Sequence, residues 1–340
     1  FRDTLEILYL RFCAGFSYKN SGKSIPVVIK TWCFGGPPRG NIPDFYYGSL
    51  PSSLAKRGLD CVVLWGDERR FPSISIQKDP EGLYLPEFGL IPLWAPFWTV
   101  LTQLIAVRSI SRLSRSTGDI NFSKFCNVAA TEILKPLTLR NTLMYYVAKS
   151  AVEKWNPKIF ITLYEGQPWE SVFRHGVKTA NPDCLNVAYQ HTILFPHSLC
   201  VREPNSITGD MSVPDVVLAT GETTAEIIRV GHEAFQSTVI PFGSYRRTIT
   251  QGLEVPRPEL RTILVLPEGL MEESKILFDF ALSAASVLPD HRFVFRCHPA
   301  LGFRKILDHL REDPNQYENI ELSERDSIES DFQRSSILLY

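Results

Sequence analysis

Short apolar runs rich in valine and isoleucine, each followed by a polar or glycine-containing loop, constrain this chain more than any other feature. The clearest are IPVVIKTWC at 25–33, DCVVLW at 60–65, IFITL at 159–163, NVAYQ at 186–190, TVIPF at 238–242, TILVL at 262–266 and RFVF at 292–295. They are four to nine residues long and mostly lack an alternating apolar and polar pattern. That describes strands buried on both faces, the environment of a parallel sheet covered by helices. Helix-length segments separate most of them, so the chain reads as repeated strand–helix–strand units with parallel pairing. Ligands of such sheets sit outside the carboxyl ends of the strands. The loops that follow the strands are therefore where functional residues are sought.

The chain has 340 residues, 44% of them hydrophobic and 21% charged, enough apolar material for two domains with their own cores. A net charge of −1 gives no global attraction to nucleic acid, so any anion site has to be local. The seven cysteines form no CxxC pair and are scattered, which fits reduced thiols and a cytoplasmic location. The histidines are scattered too, and no metal site is expected. Gly22-Lys23-Ser24 imitates the end of a phosphate-binding loop. Position 17 is Ser where that loop needs Gly, and the triplet precedes a strand instead of following one, so the reading is rejected.

Apolar spacing predicts helices over 1–15, 46–57, 134–155, 169–179, 222–230, 271–288 and 303–311, with a short one near Ile328. Strands are expected at 216–220, 319–322 and 336–340. Gly35, Gly36 and Gly40 follow the first strand, where they suit either a close ligand approach or a plain turn. The segment 89–107 (GLIPLWAPFWTVLTQLIAV) carries no charge, is followed at once by Arg108, Arg112 and Arg115, and approaches membrane-spanning length. Pro92 and Pro96 interrupt it. It is read as a buried helix or as a surface element touching a bilayer, with spanning the least favoured outcome. Residues 249–261 are rich in Pro, Gly and charge and are the best linker. The division is an N-terminal α/β domain over 1–248, a linker over 249–261 and a second α/β domain over 262–340. Both ends read as cut, so the chain is expected to be a piece of a longer protein whose last domain is unfinished.

Polar groups gather where strands end. The strand at 159–163 delivers Tyr164-Glu165-Gly166-Gln167-Pro168-Trp169-Glu170, and the strand at 186–190 delivers Gln190-His191-Thr192. In the second domain TILVL leads to Pro267-Glu268-Gly269, and RFVF leads to His298-Pro299. Glu165 is the first candidate for a general base, and His191 is its rival or holds the acceptor. Gly166, Trp169, Glu170 and Gln190 are expected on the acceptor side, with Glu170 also read as a cap or ion-pair partner. Gly269, at a helix start, offers backbone N–H groups to an anion. Glu268 suits a sugar or base hydroxyl or amino group. Arg246, after Gly243, is placed to pair with a donor carboxylate or phosphate.

The order strand–EGQPWE–helix–strand–QHT, linker, strand–PEG–helix–strand–HP resembles bacterial enzymes that use cytidylate-activated donors. These are the CMP-sialic acid and CMP-Kdo transferases and the CDP-glycerol glycerophosphotransferases. The YEGQPWE and YQHT pair looks like capsule and O-antigen surface-carbohydrate biosynthesis proteins related to them. The resemblance covers roughly residues 25–340. It implies a GT-B arrangement, two Rossmann-like parallel-sheet domains facing a cleft. It further implies a metal-independent glycosyltransferase of surface polysaccharide biosynthesis with no cofactor beyond a nucleotide-sugar, CMP-linked, co-substrate. His298 would then donate a hydrogen bond to the donor phosphate, and the acceptor would be a glycan or lipid-linked sugar at the inner membrane face. Two alternatives stand beside it: a UDP-sugar GT-B enzyme or 2-epimerase, and a non-catalytic GT-B-like scaffold.

Overall fold

The computed structural model describes residues 7–8, 11, 24–33, 44–67, 84–116, 119–192, 194, 212–231, 237–245, 261–298, 301–324 and 326–340. The chain divides into two compact units, Phe1–Thr248 and Ile249–Tyr340. Each is an α/β unit on an entirely parallel sheet. Gly35, Gly36, Gly40, Arg246, Pro299, most of the expected 1–15 helix and nearly all of the linker lie outside the described residues.

The first unit has seven strands: β1 (Val27–Cys33), β2 (Cys61–Asp67), β3 (Tyr84–Pro86), β4 (Ile159–Leu163), β5 (Leu185–Tyr189), β6 (Val216–Ala219) and β7 (Thr238–Pro241). Their order is β3-β2-β1-β4-β5-β6-β7. All seven residues of β1 are buried, as expected for a central strand covered on both faces. Helices are α1 (Leu50–Lys56), α2 (Ala95–Ser116), α3 (Ile120–Ile133), α4 (Pro136–Trp155), α5 (Pro168–Ala180) and α6 (Glu222–Gly231). The core joins β1, β2, β4 and β5 to α4 and α5 through Leu143, Val147, Phe160, Phe173 and Val177.

The second unit has β8 (Thr262–Val265), β9 (Arg292–Phe295), β10 (Ile320–Leu322) and β11 (Ile337–Leu339), in the order β10-β9-β8-β11. Its helices are α7 (Met271–Val287), α8 (Phe303–Ile306) and α9 (Ile328–Gln333). Phe278 on α7 stacks on Phe295 of β9 with ring centres 4.8 Å apart, at the middle of a separate core.

Three expectations change. The helix expected from Tyr46 begins only at Leu50. Upstream, the Asp44 side chain accepts from the N–H groups of Tyr46 and Tyr47, both at 2.8 Å, closing a tight turn bridged from Asp44 to Gly48. Such local capture competes with helix formation, and Pro51 then sets the helix start. The helix expected over 303–311 is a single α-turn followed by a 3-10 turn at Leu307–His309. The segment 89–107 is no single element. A 3-10 turn at Glu87–Leu90 precedes α2, which starts at Ala95. Among the described residues no helix is long and apolar enough to cross a membrane. Helix α3, which the sequence reading did not anticipate, is capped by Asp119, whose carboxylate accepts from Asn121 and Phe122 N–H.

Candidate functional site

The strand order of the larger sheet reverses at β1. The chain steps outward from β1 to β3, then returns to place β4 on the other side of β1. The crevice outside the carboxyl ends at such a reversal is where open α/β sheets bind ligands. Glu165 is the second residue after β4, at that point. Gly166 follows with φ +75°, a left-handed conformation that glycine adopts without steric cost.

This loop is held from beneath. Glu170, in the first turn of α5, is 1% exposed. Its Oε1 accepts from Glu165 N–H at 3.0 Å and its Oε2 from Gly166 N–H at 3.2 Å. The Arg174 guanidinium lies 3.9 Å away, one turn further along the helix. Burial pushes the Glu170 carboxyl up to about 7, against the pull of Arg174. Between about pH 4.5 and pH 7 the folded protein therefore holds a proton that the unfolded chain has released. Stability from this group is greatest below that window and falls as pH rises through it, by about 3 kcal/mol in all. Thermal unfolding should show the stability of the unsubstituted protein relative to Glu170→Gln falling by that amount as pH rises across the window. A difference independent of pH would refute this.

His191 stands two residues beyond β5, with its side chain 1% exposed. Its Nε2 lies 2.6 Å from Glu165 Oε1. The Tyr46 ring covers it, centroid to centroid 4.7 Å, and Tyr189 flanks it at 6.2 Å. Both ring nitrogens are buried, and neither has a hydrogen-bond partner among the described residues, so Nε2 and Glu165 Oε1 meet at close range without the alignment of a hydrogen bond. Glu165 keeps 22% of its side chain exposed, so one end of the pair is packed and the other open.

Other expected residues sit below this edge. Trp169 is 4% exposed and packs edge-on against Trp32 and Phe173. Gln190 is fully buried. Its Oε1 accepts from Thr220 N–H at 3.0 Å and from Thr220 Oγ1 at 2.8 Å, and its Nε2 donates to Thr192 O. It clamps the ends of β5 and β6. Trp169, Glu170 and Gln190 are thus buried beneath the edge and shape it from within.

Two further segments join this edge, one not read from sequence and one holding Gly243, which the sequence placed on the donor side. The Asp44–Gly48 turn brings Tyr46 onto His191. Gly48 has φ +53°, and a Cβ there would lie 2.1 Å from the carbonyl oxygen of Tyr245. Tyr245 in turn donates its N–H to the Tyr189 hydroxyl at 3.0 Å. Gly243, with φ +99°, opens the segment after β7, and a Cβ there would meet nothing within 4 Å. The available signal was Asp44 followed by Phe-Tyr-Tyr-Gly, a side chain suited to an Asx turn ahead of a glycine.

In the second unit, β8 and β9 are paired neighbours, so Glu268-Gly269 and His298 leave adjacent strands. Chain order reverses between β8 and β11, again beside the Glu268-Gly269 loop. Gly269 lies against the His298 imidazole. A Cβ at Gly269 would sit 2.8 Å from His298 Nδ1 and 3.2 Å from its Cγ. Ser274 Oγ donates to the Glu268 carbonyl at 2.7 Å, tying the loop to the first turn of α7. The side chains of Glu268 and His298 are exposed. Arg296, two residues before His298, is anchored by buried Asp331 on α9 at 2.7 Å. Among the described residues no three His, Cys, Asp or Glu side chains gather as a metal-ligand set.

No protein-family model matches the chain, and a search of the curated proteins finds no match. Among solved structures the chain is similar to the UDP-GlcNAc 2-epimerase of Neisseria meningitidis bound to UDP-GlcNAc, with 13% identity and TM-score 0.48, covering 92% of this chain and 76% of the other. The UDP-N-acetylglucosamine 2-epimerase of Rickettsia bellii shows 9% identity and TM-score 0.46, covering 92% and 73%. The UDP-GlcNAc 2-epimerase of Methanocaldococcus jannaschii shows 9% identity and TM-score 0.47, covering 92% and 77%. Likeness this distant carries no argument about function, which has to come from the residues themselves.

Proposed function

We propose that this protein transfers a glycosyl group from a nucleotide-activated, CMP-linked donor to a surface-polysaccharide acceptor. The observation that carries the reading is the Glu165–His191 pair: a part-exposed carboxylate held 2.6 Å from a buried imidazole, at the carboxyl edge beside the sheet's reversal point. Glu165 takes the proton of the acceptor hydroxyl as that oxygen attacks the anomeric carbon. The bond from that carbon to the phosphate oxygen breaks, and the nucleotide phosphate leaves with the electron pair. His191 keeps Glu165 in place, and Glu170 fixes the backbone that carries it. Glu268, Gly269 and His298 belong to the donor side. His298 and the backbone N–H groups at Gly269 donate to the phosphate, where charge develops as the bond breaks. Glu268 accepts from the nucleoside. No cofactor is required by these steps.

The test is titration of CMP, CDP and UDP into the protein by calorimetry. CMP or CDP is expected to bind more tightly than UDP, and His298→Ala to weaken binding by roughly tenfold, the value of one hydrogen bond to a charged group. Gly269→Ala should weaken it as well, because its new methyl group displaces the imidazole. Tighter UDP binding would overturn the cytidylate assignment in favour of a UDP-sugar enzyme, a 2-epimerase included.

A further inference from the structure

We propose that the α2–α3 helix pair is a docking surface for an anionic lipid bilayer, independent of the reading of the carboxyl-edge site. Helix α2 is packed inside out. The residues it buries are Ala95, Pro96, Thr99, Gln103 and Ser114, all small or polar except for the proline. The large apolar side chains around it face outward instead: Trp94, Phe97, Trp98, Leu101, Leu104 and Ile105 are each about half exposed or more, between 46% and 57%. A helix that folds for its own core buries its apolar face. Among the described residues nothing covers that face, and a contiguous exposed apolar patch of this kind marks an interaction site. Helix α3 extends it with Phe122, Phe125 and Val128, all exposed, and buries only Cys126.

Charge identifies the occupant. Trp98, Leu101, Ile105, Arg108, Arg112 and Arg115 recur every three or four residues, so they form one stripe along the helix. The stripe is apolar in its first half and cationic in its second. Its three arginines are exposed, and α2 contains no acidic residue. The acids of the adjoining helix are already engaged, Asp119 with the start of α3 and Glu132 with Lys135. A chain with net charge −1 has thus set three exposed arginines beside an exposed apolar surface, with no acidic partner for them shown among the described residues. A second copy would fit poorly. Parallel stripes set arginine against arginine, and antiparallel stripes set Leu101 against Arg112 and Ile105 against Arg108, with a favourable guanidinium–indole contact only at Trp98. A bilayer with anionic headgroups accepts both halves, the aromatic and leucine side chains below the headgroups and the guanidinium groups among them. Indole rings favour that boundary. The expected 89–107 contact is thereby narrowed and moved. Leu90 and Ile91 are buried in the protein, and the contact runs from Trp94 through Arg115 and onto α3.

The test is flotation with phosphatidylcholine vesicles, with and without phosphatidylglycerol, using the whole chain. The protein should float with the anionic vesicles, with a blue shift of tryptophan emission, and much less with the neutral ones. Added salt should weaken the binding. Phe97→Ser with Leu101→Ser, both at exposed positions, should reduce binding about tenfold or more, and Arg108→Glu with Arg112→Glu should do the same for the anionic vesicles. Unchanged circular dichroism would show that the variants remain folded. Failure of the unsubstituted chain to float overturns the proposal. So does a concentration-dependent dimer that the Phe97 and Leu101 variant abolishes, because a second copy would then cover this face.

Discussion

Glu165→Gln is expected to leave a folded protein in which glycosyl transfer falls by roughly two to four orders of magnitude, the usual contribution of a positioned general base. The amide keeps the size and shape of the carboxylate beside His191, and Glu170 still holds the backbone N–H groups of residues 165 and 166. Structure and nucleotide binding should therefore survive while proton removal is lost. The measurement is product formation from a CMP-activated sugar by the purified variant, alongside its unfolding curve and its CMP affinity. A scaffold makes a different prediction, that glycan production in cells carrying the variant continues unchanged. If turnover persists at the unsubstituted rate, Glu165 is not the base. Because CMP titration reports on the second unit, a donor reading that fails there and a base reading that fails here can be told apart.

The second large effect is on stability. Lys30→Met should destabilise the first unit by about 3–5 kcal/mol, because it strands a buried carboxylate. Lys30 lies within central strand β1 and is fully buried, as is Glu87, whose Oε2 is 2.9 Å from the Lys30 ammonium. That ammonium also donates to the Thr31 carbonyl at 2.8 Å and sits 3.6 Å above the Trp32 ring. Burial lowers the lysine's affinity for its proton, and Glu87 works against that shift. With lysine gone, the Arg140 guanidinium at 3.9 Å is the nearest remaining compensation that the structure shows for Glu87. Space gives no relief, since even a Cβ at Gly66 would lie 2.5 Å from Glu87 Oε1. For a unit of this size the loss corresponds to a melting temperature lower by roughly 10 °C. Lys30→Met combined with Glu87→Leu should recover much of it, because an apolar pair of similar volume replaces a pair whose desolvation is costly. A single variant that melts within about 2 °C of the original, on the same scale, would show that the pair contributes little.

Some of the site was legible before any coordinates. Glu165 and His191 each follow a short apolar run, and parallel strands put such positions on one edge. Glu268-Gly269 and His298 follow paired strands for the same reason. The Asp44–Gly48 turn was only half legible: an aspartate ahead of a glycine suits an Asx turn, but the Tyr-Tyr segment before Leu50 also has helical spacing, and only the fold shows that the Asp44 carboxylate captures its N–H groups. Glu170's place in the first turn of α5, as a cap or ion-pair partner, was legible; that its carboxylate holds the N–H groups of residues 165 and 166 was not. Burial separates it from Glu165, with Glu170 1% exposed and the Glu165 side chain 22% exposed.

Sequence by itself determined the parallel α/β class, because period and β-branched content are local properties that survive in any register of one chain. It also determined which loops leave the carboxyl ends of strands, because parallel pairing puts the end of every strand on the same edge. Only the tertiary structure decided which groups meet there. The 2.6 Å contact of Glu165 with His191, the Tyr46 ring over that imidazole, and the Lys30–Glu87 pair each join residues far apart in the chain. So did the outward turn of the apolar side of α2: hydrophobic periodicity names the apolar face of a helix, and only packing shows whether that face meets a core or is left open.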